Sequence, residues 1–121
     1  MKTQKLAAML LTVALSFGAS QAALAHECTN ALDTLTATIG GAYFANDSDS
    51  GKLQSKVTAA DLKLNGHKPY GAIQKLGDIS TKINRLLSNL RTQKIDPDDG
   101  ADILGDVTIA QDCIAMNIDS F

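Results

Sequence analysis

A helix with a readable start and one apolar face is indicated near the C-terminal end of the sequence, where Asp96 and Pro97 precede a regular apolar stripe. An aspartate can cap a helix by accepting a backbone N–H, and proline suits the first helical position. Residues three and four apart share one helix face. The stripe consists of Ile103, Leu104, Val107, Ala110, Ile114 and Ile118. We therefore predict a helix over residues 97–118, with the rest of the chain folded around its apolar face.

Three earlier stretches show the same helical spacing of apolar residues. They cover residues 28–39, 53–64 and 69–90. The third has the longest stripe, which ends at Leu90, and Pro69 stands at its first position. The chain is therefore predicted to form four helices.

Short polar and glycine-containing segments separate these helices. Two glycines at positions 40 and 41 interrupt the first helix, and residues 42–45 either resume it or fold over the end of the core. The sequence NDSDSG at positions 46–51 is typical of a turn. Asn65 and Gly66 indicate the end of the second helix through a left-handed C-cap.

Four helices with short connections predict an all-α fold, a small antiparallel four-helix bundle of up-down-up-down order. An even number of antiparallel helices returns the chain to the end where it began. Cys28 and Cys113 would then be neighbours, and we predict one disulfide between them. In the chain-entropy model a loop of this length contributes about 4.5 kcal/mol.

The N-terminus has the features of a secretory signal peptide. Two lysines precede an apolar run at residues 6–17, and Ala-Leu-Ala at residues 23–25 matches a signal-peptidase site. The run is shorter than the roughly 20 residues that span a bilayer. We predict cleavage after Ala25, a signal peptide at residues 1–25 and one helical domain at residues 26–121. The expected product is periplasmic or secreted, with no membrane insertion after cleavage.

The charge of the predicted domain is moderately acidic. It contains nine basic and thirteen acidic residues, a net charge of −4 with histidines neutral. We interpret the basic residues as scattered along the chain, and therefore expect no nucleic-acid partner. Asp78 and Lys82 have the spacing of an ion pair within one helix.

Three segments of the sequence resemble the FIMAH module, a helical domain found in secreted bacterial enzymes and surface proteins. The matching positions are Gly51, Leu53, Lys56 and Val57, then Ala72, Ile73 and Leu76, then Lys94, Ile95, Ala101, Asp102, Leu104 and Asp106. The resemblance covers about two thirds of the predicted domain. It implies an accessory role in interaction, without catalysis.

No arrangement of residues in the sequence indicates an active site or a resident cofactor. Nucleophile motifs are lacking, and the Asp-rich segments do not have the oxygen spacing of a calcium loop. We therefore expect a non-enzymatic binding module. Its partner would be another envelope or extracellular protein, or a second copy. Ile109 and Met116 project away from the apolar stripe of the last helix and form a candidate contact surface.

A metal carrier is the alternative function. Cleavage after Ala25 would make His26 the first residue, so that its amino group and imidazole could bind copper together with His67. We favour the simpler interpretation, in which His26 follows the cleavage site and His67 lies in the turn at residues 65–68.

Overall fold

The computed structural model describes residues 20–89 and 91–121, with side chains described from Glu27 onward. Its helices are α1 (Ser20–Gly41), α2 (Asp47–Asn65), α3 (Pro69–Leu87) and α4 (Pro97–Met116), and a 3-10 turn at Ile118–Ser120 follows. Most of the predicted signal peptide, residues 1–19, lies outside the described residues, as does Leu90. Residues 20–25, the last part of the predicted signal peptide, form the beginning of α1.

The four helices form the predicted up-down-up-down bundle. Each helix packs on the next one in the sequence, and α1 also packs on α4. The direction of the α1–α4 pair follows from its contacts. Cys28 is bonded to Cys113 near one end, and the Thr38 hydroxyl donates to Asp106 Oδ2 at 2.6 Å near the other. Positions rise along α1 as they fall along α4, so the pair is antiparallel.

The core is aliphatic and follows the apolar stripes of the sequence. Its largest fully buried side chains are Leu35, Ile39, Leu53, Leu76, Ile79, Ile83, Ile95, Ile103 and Ile114. α3 and α4 approach closely at Gly100, where a Cβ atom would lie 2.8 Å from Leu87 Cδ2. The glycine therefore allows a closer helix contact than a larger residue would.

The predicted disulfide is confirmed. Cys28 and Cys113 are bonded, with their Cα atoms 5.5 Å apart. Cys28 is fully buried and Cys113 is half-buried. The bond ties the first helix to the last across 85 residues, and such a loop contributes about 4.5 kcal/mol in the chain-entropy model.

The predicted turn at residues 46–51 is wrong, because most of it belongs to α2. Asn46 is the N-cap, and its Oδ1 accepts the Ser48 N–H at 3.0 Å. Asp47 and Asp49 lie in the first turn of the helix, where unpaired N–H groups favour negative charge. The same short polar residues that favour turns are thus well suited to begin a helix.

The left-handed residue after α2 is His67 and not the predicted Gly66. Gly66 has φ −90°, whereas His67 has φ 60°. The Lys68 N–H donates to the Lys63 carbonyl at 2.8 Å, and the His67 N–H donates to the Leu64 carbonyl at 3.1 Å. These two bonds form a Schellman motif, in which the left-handed position falls one residue beyond Gly66.

Residues 42–45 fold over the end of the core and do not continue α1. Phe44 is buried and forms an isolated antiparallel bridge with Ile95. The Ala45 N–H donates to the Lys94 carbonyl at 2.9 Å, and the Tyr43 N–H donates to Asp99 Oδ2 at 2.8 Å. These hydrogen bonds therefore join the α1–α2 connection to the segment that leads into α4.

The last helix is shorter than predicted, because α4 ends at Met116 and Asn117 is its C-cap.

Candidate functional site: a basic groove between α2 and α3

Charge is segregated along the chain, so the interpretation of scattered basic residues is wrong. All nine basic residues of the predicted domain lie in residues 52–94, together with only two acidic residues. The other eleven acidic residues lie in residues 26–51 and 95–121, which contain no lysine or arginine. The first group covers most of α2, all of α3 and the segment leading to α4.

The packing order turns this segregation into two differently charged sides of the bundle. α2 packs against α3, and α1 packs against α4. The cyclic order of the four helices places these two pairs opposite each other. One side of the molecule is therefore basic, and the opposite side is acidic.

A groove of about 560 Å³ runs along the outer seam between α2 and α3. It is lined by Lys52, Leu53, Ser55, Lys56, Asp78, Thr81, Lys82 and Arg85. Four of these eight residues are cationic and one is anionic. The groove thus concentrates positive charge on the basic side.

Two ion pairs cross the seam. Lys82 Nζ lies 3.0 Å from Asp49 Oδ1, and Lys56 Nζ lies 3.7 Å from Asp78 Oδ2. The first pair is the more protected, because the Lys82 and Asp49 side chains are 24% and 11% exposed. These interhelical pairs replace the pairing of Asp78 with Lys82 predicted within α3.

The ion pairs leave Lys52 and Arg85 as the uncompensated charges of the groove. Both residues are exposed, and neither has a carboxylate within 4.0 Å among the described residues. An arginine guanidinium can bind a carboxylate through two parallel hydrogen bonds, and a lysine adds a mobile positive charge. The groove can therefore bind anionic groups through these two side chains.

The two residues proposed as a contact surface, Ile109 and Met116, are exposed, at 61% and 83%. They lie on α4, away from the basic groove. Leu62 and Tyr70 are also exposed, at 65% and 75%, and they belong to α2 and α3. Sequence reasoning missed these two because it considered contact residues only on the last helix.

The structure does not test whether the two histidines lie close together, because only His67 has a described side chain. His67 is exposed in the turn between α2 and α3. The His26 side chain lies outside the described side chains. Among the described residues, no three His, Cys, Asp or Glu side chains are grouped as metal ligands. The copper site remains a prediction from the sequence.

No family model, curated protein or solved structure matches the chain. The FIMAH resemblance therefore remains a resemblance. No helix in the described part of the chain is long and apolar enough to cross a membrane.

Proposed function

We propose that this protein is an exported helical binding module that catalyses no reaction and binds an acidic surface of a partner protein in the groove between α2 and α3. The observation that carries the proposal is the pair of exposed, uncompensated cations, Lys52 and Arg85, on the rim of that groove. The sequence features of a signal peptide support export to the periplasm or the medium. The Cys28–Cys113 disulfide supports it too, because such bonds persist in oxidising compartments.

The groove is suited to selective but moderate binding. The Asp49–Lys82 and Lys56–Asp78 pairs fix the seam and partly neutralise it, so that they contribute shape more than net charge. Lys52 and Arg85 remain available for the partner's carboxylates. Exposed charges of this kind accelerate association and make it sensitive to salt. Leu62 and Tyr70 add apolar contact area on the same two helices.

Poly-L-glutamate is a suitable probe of the groove, because it presents carboxylates without other chemistry. We expect the protein recovered after export to bind poly-L-glutamate, as measured by calorimetric titration, and to bind it more weakly as salt is raised. The double variant Lys52→Gln/Arg85→Gln should lose roughly fivefold in affinity, since each exposed ion contact contributes about 0.5 kcal/mol.

A matched control removes the same charge elsewhere. Lys68 and Arg91 are exposed and do not line the groove. The variant Lys68→Gln/Arg91→Gln should keep most of the affinity. Equal losses in both variants would show that net charge alone drives binding, and would contradict a site in the groove. Failure of the unaltered protein to bind at low salt would contradict the proposal as a whole.

A further inference from the structure

We propose that the acidic partner surface is the α1–α4 side of a second copy of this chain, so that the protein assembles head to tail. This inference rests on the proposed function, because it uses the same groove and names its occupant. The observation behind it is that one bundle carries two complementary sides. The basic side formed by α2 and α3 lies opposite an acidic side formed by α1 and α4.

The outer face of α4 supplies accessible carboxylates for such a contact. Asp98, Asp102 and Asp112 are all exposed. None of the three lies within 4.0 Å of a cation among the described residues. α4 contains no basic residue that would compensate them. They are therefore free to pair with Lys52 and Arg85 of another copy.

Each side also presents exposed apolar residues. Ile109 and Met116 share the outer face of α4 with Asp112, at helical spacings of three and four residues. Leu62 and Tyr70 provide the counterpart on α2 and α3. Contact of apolar area inside a rim of ion pairs is the usual arrangement of a protein interface. The two sides thus carry opposite charges, and both carry exposed apolar residues.

The position of the two sides decides the form of the assembly. A two-fold dimer would need both complementary surfaces on the same side of one molecule, because each copy would use both against the same partner. Here the surfaces lie on opposite sides of the bundle. The contact is therefore heterologous, and it adds copies in a row or closes into a ring.

Sedimentation velocity of the exported protein tests this assembly. We expect species larger than two chains that grow with protein concentration at about 10 mM salt, where charges interact over about 30 Å, and one-chain species at about 1 M salt, where the range is about 3 Å. A one-chain species at every protein concentration in low salt would overturn the proposal.

A mixing experiment identifies the two surfaces. Asp102→Asn/Asp112→Asn weakens the acidic side, and Lys52→Gln/Arg85→Gln weakens the basic side. Each double variant alone should need roughly fivefold more protein than the unaltered chain to reach the same size at low salt, since each loses two exposed ion contacts of about 0.5 kcal/mol. An equimolar mixture, at a concentration where neither variant assembles alone, should form mainly a species of two chains, because each such pair buries one intact surface of each kind and leaves only weakened ones. Growth of either variant alone to the sizes that the unaltered protein reaches at the same protein concentration would overturn the assignment.

The same variants separate this inference from the proposed function. Asp102→Asn/Asp112→Asn retains the basic groove and should bind poly-L-glutamate as the unaltered protein does. If this variant binds poly-L-glutamate while the unaltered protein remains a single chain, the groove binds acidic partners but not a second copy. If neither binding nor assembly occurs, the groove itself is not a binding site.

Discussion

At the scale of single residues, His67 occupies the left-handed position of a helix ending that glycine usually fills. It is the one non-glycine residue with positive φ in the described chain, and the Schellman motif after α2 requires that conformation. Gly66, the preceding residue, was the candidate for this position from the sequence. Sequence composition alone could not place the left-handed residue, because the choice depends on where the last helical hydrogen bond of α2 forms.

Replacing His67 by glycine should stabilise the protein. The left-handed backbone region is unfavourable by roughly 1 kcal/mol of conformational free energy for a residue with a Cβ atom, and glycine avoids this cost. We expect His67→Gly to raise the free energy of unfolding by about 0.5 to 1 kcal/mol, measured by urea denaturation.

His67→Ala is the matched control, because alanine removes the imidazole but retains the strained backbone. It should leave stability nearly unchanged. A comparable gain from His67→Ala would show that the imidazole itself is unfavourable, and would contradict the backbone explanation.

At the scale of the helices, the apolar stripes predicted which segments are helical better than they predicted where each helix begins. α4 begins at Pro97 because Asp96 caps it, as the sequence indicates, and Asp96 Oδ2 accepts the Asp99 N–H at 3.2 Å. The beginning of α2 was missed because residues 47–51 contain no apolar residue from which to read a helical period. The Asp49–Lys82 pair was missed with it, since Asp49 was placed in a turn.

The two ion pairs between α2 and α3 differ in burial, so comparing their coupling energies shows how burial affects the strength of an ion pair. We expect a double-mutant cycle on Asp49→Asn and Lys82→Gln to give a coupling energy of roughly 1 kcal/mol, because the pair is largely shielded from solvent. The Lys56–Asp78 pair is 44% and 46% exposed and lies at 3.7 Å. For a pair as exposed as this one, the same cycle should give about 0.3 kcal/mol or less.

Urea denaturation of each variant provides both cycles. The order of the two coupling energies is the informative result. If the exposed pair couples as strongly as the shielded pair, the explanation of the coupling energies by burial is contradicted.

At the scale of the whole molecule, the helix count predicted more than any motif did. Four antiparallel helices bring Cys28 and Cys113 to one end, and the disulfide is where that order requires it. The charge segregation was also readable in the sequence, since no basic residue follows Lys94. Its consequence was not readable, because opposite sides arise only when α1 packs on α4 and α2 packs on α3.

The central claim is that the α2–α3 side of this bundle is the surface that binds acidic groups. Amide NMR spectra of the protein, recorded during titration with poly-L-glutamate, test it residue by residue. We predict the largest shift changes around Lys52, Lys56, Lys82 and Arg85, with α1 and α4 nearly unchanged. Changes centred on α1 and α4, or changes spread evenly over all four helices, would contradict the claim.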